Sequence, residues 1–135
     1  MSVLLDTSYL LALHAKRDVN HITAEALKGQ LKNKEFGQLY ISDYIFDEFV
    51  THLRARSYPK ADIQEIGSTF LEGGTFQMLQ VNSSIFSKAW ELFKKYEVLS
   101  FTDCTTAILA EEFGIRHIAS FDAGFDRVSH LKRLH

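Results

Sequence analysis

Four acidic side chains occupy positions where a carboxylate can do chemistry. Asp6 and Asp122 each follow an apolar run, which predicts that both lie at the rim of a buried core. Asp103 lies near the start of a helical segment, and Glu48 lies at the border of an apolar helical stripe. Carboxylates within a few ångströms of one another repel, and burial raises their pKa values. A cluster of these four therefore needs shared protons or a bound cation.

A bound divalent cation is the simplest explanation for such a cluster of negative charges. Ligand sets made only of oxygen suit Mg²⁺ or Mn²⁺ better than zinc. Such an ion orients and acidifies a water molecule and offsets charge on a phosphoryl group, which is the chemistry of metal-dependent nucleases and phosphatases. Neighbouring hydroxyls are candidates to hydrogen-bond the ligand carboxylates, namely Thr7, Ser8, Thr102 and Ser120. Helix capping is the alternative role of each hydroxyl, and it is the favoured one for Ser8.

Each acid, taken singly, also has a purely structural interpretation. Asp6 and Asp103 suit a helix N-cap or first turn, where the helix dipole favours negative charge. Glu48 suits a solvated helix face. Asp122 suits a turn ahead of Gly124. Only the joint pattern of the four favours a metal site.

The elements that must position these acids alternate along the chain. Helices of about ten residues between strands favour an α/β fold whose parallel sheet is covered on both faces. In such sheets, sites lie beyond the carboxyl ends of the strands, where Asp6 and Asp122 are predicted. The predicted strands are 2–5, 38–42, 75–81 and 116–121, with a candidate edge strand at 130–134, and the predicted helices are 7–15, 21–31 capped by Asn20, 43–56, 60–71, 83–96 and 102–113.

Composition limits the classes of protein to consider. A chain of 135 residues with 46% hydrophobic residues predicts one globular domain over 1–135. The lone Cys104 cannot form an intrachain disulfide and no secretory signal is evident, so we expect a reducing cytoplasm. No apolar run approaches the roughly 18 residues of a membrane span, so no membrane partner is expected.

The net charge of −2 argues against a protein that coats nucleic acid by charge alone. If four of the 17 acidic side chains surround a cation, however, the 15 basic side chains outnumber the acidic ones that remain. Three pairs of neighbouring basic residues are candidate phosphate contacts, although each could equally belong to a solvated helix face: Arg54 and Arg56, Lys16 and Arg17, and Lys94 and Lys95.

Several segments in the correct order resemble one family over nearly the whole chain. LLDTSYLLAL, DVNHITAEAL, ISDYIFDEFVTHLR, LSFTDCTTAILAEEFG and IASFDAGFDRV resemble the PIN-domain nucleases, in particular the small VapC-like toxins. The resemblance implies a parallel five-stranded sheet between helices. It also implies RNA cleavage that leaves a 5′-phosphate, with Mg²⁺ or Mn²⁺ bound by Asp6, Glu48, Asp103 and Asp122.

The same resemblance extends to neighbouring residues and to partners. Asp126 fills a position that varies in the family and is a candidate auxiliary ligand. Ser120 stands where the family often has Thr, which keeps a hydroxyl in place. A toxin of this type is neutralised by a small antitoxin whose peptide fills the groove, and members of the family usually form homodimers.

Other residues that could do chemistry are assigned simpler roles. The six histidines show no His-x₃-His pair and Cys104 lacks a thiol partner, so a zinc site is not expected. His52 lies four residues after Glu48 and could touch the site, although a solvated position is favoured. Cys104 is assigned to the core as a small filler. Trp90 and the phenylalanines have helical core spacing and are assigned to packing instead of base stacking.

The predicted function is a Mg²⁺- or Mn²⁺-dependent endoribonuclease, the toxin of a VapBC-type pair. One alternative is a catalytically inactive PIN-like module that binds RNA or protein. A third is an aspartyl-type phosphatase or receiver domain, which needs a second acid two residues after the nucleophilic aspartate or a basic residue at the end of a late strand. This chain has Ser8 at the first position, and the only candidate for the second is Lys132 in a weak strand.

Overall fold

The computed structural model describes residues 1–33 and 35–135. It shows five parallel strands in the order β3-β2-β1-β4-β5. The predicted α/β fold with its five-stranded parallel sheet is therefore confirmed. Its elements are β1 Ser2–Leu5, α1 Thr7–His14, α2 His21–Lys32, β2 Gln38–Ser42, α3 Asp43–Ala55, α4 Lys60–Glu72, β3 Phe76–Leu79, α5 Ser83–Phe93, α6 Phe101–Glu112, β4 His117–Ala119, a 3₁₀ helix Ala123–Arg127 and β5 Lys132–Leu134.

Two hydrophobic layers cover the two faces of the sheet. Side chains alternate across a strand, so Val3 and Leu5 of β1 pack into one layer and Leu4 packs into the other. The first layer is built with α1 to α4, and the second with α5 and α6. Both faces of the central strand are thus buried, which explains its uninterrupted apolar sequence.

The register of the central strands brings two candidate site segments together. Leu5 of β1 pairs with Ala119 of β4, and the backbone N–H of Asp6 donates to the carbonyl of Ala119 at 3.0 Å. Asp6 and Ser120, the residues that follow these strands, are therefore neighbours at one edge of the sheet. The edge strand β5 pairs with β4 in parallel, so the candidate edge strand at the end of the chain is confirmed within shorter bounds.

Some predicted details of the helices are wrong. Asn20 makes no side-chain cap to α2; its own backbone N–H donates to Asp18 at 2.8 Å. The buried face of α2 consists of Ala24, Leu27 and Leu31, whereas Ile22 at its start is 84% exposed. None of the helices in the described part of the chain combines the length and apolar character needed to cross a membrane.

The assignment of Trp90 to core packing is also wrong. Trp90 is 50% exposed and Phe86 is 47% exposed, because the buried stripe of α5 is formed by Ile85 and Ala89. The Trp90 ring stacks on Phe93 with a centroid distance of 5.7 Å. Phe86 and Trp90, one helical turn apart, form what we call the α5 surface. Cys104, by contrast, is fully buried, as its assignment to the core requires.

Candidate metal centre

Asp6 is the most buried acid of the predicted set, with only 4% of its surface exposed. It follows β1 and precedes α1, and one of its oxygens, Oδ2, accepts hydrogen bonds from the hydroxyls of Ser8 and Ser120, each at 2.7 Å. Burial raises the pKa of Asp6, the two hydroxyl bonds oppose this rise, and the negative charge of Glu48 adds to it. The structure thus holds a carboxylate under conditions that disfavour its charge.

The two serine hydroxyls tie the end of β1 to the end of β4. Ser120 Oγ accepts a hydrogen bond from the backbone N–H of Asp122 at 3.0 Å, and Ser8 Oγ accepts one from the N–H of Phe121, also at 3.0 Å. Ser8 therefore orients Asp6 instead of capping a helix, which corrects the role favoured from the sequence. Through Ser120, one hydroxyl contacts both the Asp6 carboxylate and the backbone of Asp122.

Asp103 is the third residue of α6 and makes helix-capping contacts, which are the structural alternative to metal binding. Its carboxylate accepts from the N–H of Ser100 at 3.0 Å, and the Ser100 hydroxyl accepts from the N–H of Asp103, which is a capping box. Burial is the main reason that the pKa of Asp103 rises to about 6, and the charges of Asp6 and Asp122 raise it further, against the bonds to Ser100. Asp103 is therefore close enough to Asp6 and to Asp122 to be repelled by each of them.

Asp122 is exposed and stands at the start of the 3₁₀ helix, where its Oδ1 accepts from the N–H of Gly124 at 2.8 Å. Asp126, the candidate auxiliary ligand, forms an ion pair with Arg133, using both carboxylate oxygens. The hydrogen bond from Arg133 lowers the pKa of Asp126. The structure therefore gives Asp126 a partner other than a metal ion.

Glu48 lies on α3 and is half-buried in a cleft of about 400 Å³. Thr102, the residue before Asp103, lines the same cleft and so connects α3 with the start of α6. His52 lines it as well, one helical turn from Glu48. The sequence interpretation missed Asp47 as a member of this cleft, although its position next to Glu48 was a signal.

Two features bear on whether the acids fit a metal ion. Among the residues that the structure describes, no three Asp, Glu, His or Cys side chains converge closely enough, as they are placed, to hold one. The hydroxyl of Thr7, next to Asp6, is buried without a hydrogen-bond partner in that part of the chain, so it does not bond a carboxylate as predicted. A buried orphan hydroxyl of this kind often marks a missing water or ion.

The chemistry of the donor set fits a hard divalent cation. The carboxylates present only oxygen, the charges of Asp6 and Asp122 raise the pKa of Asp103, and the ion pairs found among the described residues involve none of the four predicted ligands, Asp6, Glu48, Asp103 and Asp122. Asp103 and Asp122 each use one carboxylate oxygen, Oδ2 and Oδ1 respectively, for a backbone N–H, so the second oxygen of each can bind an ion while those bonds are kept. The identity of the ligands stays a prediction.

Comparison with known proteins assigns the family. The PIN domain family profile matches residues 3–131, and the chain therefore belongs to the PIN domain family. It is 29% identical over 128 residues to the VapC ribonuclease of Archaeoglobus fulgidus, covering 93% of this chain and 80% of that protein. The resemblance to VapC-like PIN proteins noted in the sequence is confirmed.

Solved structures share the fold at low sequence identity. VapC20 of Mycobacterium tuberculosis, a sarcin-ricin loop cleaving toxin, has a TM-score of 0.81 at 21% identity and covers 93% of each chain. VapBC2 of Rickettsia felis, bound to a DNA fragment from its promoter, has a TM-score of 0.75 at 16% identity, with 99% of this chain and 98% of that chain covered. FitAcB of Neisseria gonorrhoeae has a TM-score of 0.66 at 14% identity, with 98% and 96% covered.

Proposed function

We propose that this chain is a Mg²⁺- or Mn²⁺-dependent endoribonuclease formed by one PIN domain over 1–135. The observation that carries the proposal is the raised pKa of the partly buried Asp103 at the carboxyl edge of the sheet, to which the charges of Asp6 and Asp122 both contribute. A fold that places ionisable groups where they disfavour one another's charge loses stability, and functional sites are where such arrangements are found. The VapC ribonuclease relative supports RNA as the substrate.

In the proposed mechanism, Asp6, Asp103 and Asp122 would hold the divalent cation. Glu48 would either bind it as a further ligand or help to activate the attacking water as a general base. When bound, the cation supplies Lewis acidity and lowers the pKa of that water. Ser8 and Ser120 keep the Asp6 carboxylate in a fixed orientation.

The cleft beside Glu48 is the proposed entry for the RNA chain. It is open to solvent and lies at the start of α6, next to Asp103. Arg54 and Arg56 are exposed near the end of α3, the helix that forms one wall, and are proposed to contact phosphates. Lys94 is a weaker candidate because it pairs with Glu91 at 2.9 Å.

We further propose that the protein is a cytoplasmic toxin of a VapBC-type pair, with a small antitoxin as its partner. VapC20 and VapBC2, with which it shares its fold, support this assignment. We propose a homodimer as well, because the α5 surface exposes aromatic side chains to solvent, and such patches on a monomer commonly mark protein interfaces.

One observation favours the alternative of a PIN-like module that binds without cleaving. Asp103 and Asp122 each accept a hydrogen bond from a backbone N–H, as capping and turn residues do. If Mn²⁺ does not raise the Tm of the purified chain, the acids serve the fold and not a metal ion.

The test is cleavage of a defined RNA by the purified chain with EDTA, Mg²⁺ or Mn²⁺. Asp6→Asn keeps an oxygen for the two serine hydroxyls but removes the charge, so cleavage should disappear while the circular dichroism spectrum is unchanged. Asp62→Asn is the matched control, since Asp62 lies on the exposed first turn of α4. Equal cleavage by the Asp6 variant and the parent chain would show that the activity comes from elsewhere.

A further inference from the structure

The side chain of Arg133 on β5 is largely buried, with only 11% of its surface exposed, and its guanidinium has two different partners. Its Nε and Nη2 donate to Asp126 Oδ1 and Oδ2 at 2.9 and 3.0 Å, and its Nη1 donates to the backbone carbonyl of Ser120 at 3.3 Å. The two-pronged contact to Asp126 uses the planar fork that only arginine offers. The remaining nitrogen therefore reaches Ser120 in a fixed direction.

Ser120 is the residue through which this contact reaches the candidate metal centre. Its hydroxyl donates to Asp6 Oδ2 at 2.7 Å and accepts from the N–H of Asp122 at 3.0 Å. Its backbone N–H also donates to the carbonyl of Leu134 on β5. Arg133 thus holds the backbone carbonyl of Ser120. The hydroxyl of Ser120 in turn contacts the carboxylate of Asp6 and the backbone of Asp122, which are two of the predicted ligands.

We propose that Arg133 is a positioning residue for Asp6 and Asp122, and that Asp126 serves as its anchor instead of binding the metal ion. The inference rests on the proposed function, because it assumes that Asp6 and Asp122 bind a divalent cation. Asp126 is 56% exposed at its side chain, so its ion pair with Arg133 adds little stability as such. The ion pair matters because it fixes the orientation of the guanidinium toward the Ser120 carbonyl.

The purified chain tests this through Mn²⁺ titration followed by the rise in Tm. Arg133→Gln and Asp126→Asn should each raise the Mn²⁺ concentration for half the effect roughly tenfold, as loss of groups that orient ligands does. Arg133→Lys should behave in the same way, because it keeps the charge and loses the fork. Arg116→Gln, which removes a positive charge at the opposite end of β4, should match the parent chain.

The double variant separates anchoring from direct metal binding. If Asp126 acts only through Arg133, the chain with both substitutions should need no more Mn²⁺ than either single variant. An Asp126→Asn effect that is larger than that of Arg133→Gln and adds to it would make Asp126 a ligand and overturn the proposal. The proposal would also be overturned if Arg133→Gln or Arg133→Lys needed the same Mn²⁺ concentration as the parent chain for half the rise in Tm.

A measurement without metal keeps the inference separate from the proposed function. In EDTA, amide exchange of the Asp122 N–H, which donates to Ser120 Oγ, should accelerate several-fold in Arg133→Gln and Asp126→Asn, but not in Arg116→Gln. Unchanged exchange would refute the positioning role. Absence of Mn²⁺ binding by the parent chain would contradict the proposed function. The amide exchange rates would then still show whether Arg133 positions Ser120 and Asp122. Asp126→Asn changes an exposed side chain, so this variant should fold.

Discussion

Replacement of Asp103 by Asn should make the metal-free protein more stable while it abolishes activity. In the folded chain the pKa of Asp103 is about 6, compared with an ordinary value of 3.8. Because the folded value is higher, the contribution of this group to stability is fully present below pH 3.8 and is lost as the pH rises through 6. Asparagine carries no charge and still offers an oxygen to the N–H of Ser100.

The magnitude follows from the size of this shift. Each pKa unit is worth about 1.4 kcal/mol, so a rise from 3.8 to about 6 sets an upper limit of about 3 kcal/mol at pH 7. Asp103 is partly exposed and solvent screens part of the repulsion, so we expect a gain of about 1–2 kcal/mol. For a chain of this size, that gain corresponds to a rise in Tm of roughly 3–8 °C.

The assay is urea unfolding in EDTA at pH 7 and pH 5, with Asp62→Asn as control. Asp62 is also the third residue of its helix, but it is exposed, and its negative charge interacts favourably with the helix dipole. Its replacement should therefore lower the free energy of unfolding by about 0.3–1 kcal/mol. The gain from Asp103→Asn should shrink at pH 5, where the parent carboxyl is largely protonated. A loss of stability at pH 7, or a gain that does not depend on pH, would refute the electrostatic reasoning.

Three further substitutions test other parts of the account. Ser120→Ala should lower the free energy of unfolding in urea by about 1–2 kcal/mol, because Asp6 loses a donor and the Asp122 N–H loses its acceptor. Gly124→Ala should weaken Mn²⁺ binding roughly tenfold in a thermal-shift titration, since the new Cβ would lie 3.0 Å from Asp122 Oδ1. Trp90→Lys should convert a dimer into a monomer in light scattering, and an unchanged mass would exclude the α5 surface as the dimer interface.

The α/β architecture could be predicted because its signals are local. Apolar runs such as that of β1 are short and bounded by polar residues, and the helices between strands show regular spacing. The length of the elements was less certain, so β4 has three residues where six were predicted. The predicted start of α6 at residue 102 was one residue late, because the local capping box of Ser100 and Asp103 begins the helix at Phe101.

The error at α5 has a geometric cause. Ile85 and Ala89 lie four residues apart, and so do Phe86 and Trp90, so the helix carries two adjacent apolar stripes. Periodicity indicates that a stripe exists but not which stripe faces the sheet. The structure buries the smaller side chains and leaves the aromatic ones exposed.

At the candidate site, residue types could be predicted but partners could not. Asp6 and Ser120 meet because Leu5 pairs with Ala119, and this register is a property of two strands more than a hundred residues apart. The same holds for Arg133, which reaches Asp126 and Ser120 only because β5 lies beside β4. Nothing local in the sequence distinguishes Asp126 as an anchor from Asp126 as a ligand.

The most direct test of the central claim is anomalous X-ray diffraction at the manganese edge from a crystal of the parent chain grown with Mn²⁺. We expect an anomalous peak bound by Asp6, Asp103 and Asp122. A peak elsewhere, or no peak between these carboxylates, would contradict the proposed metal site.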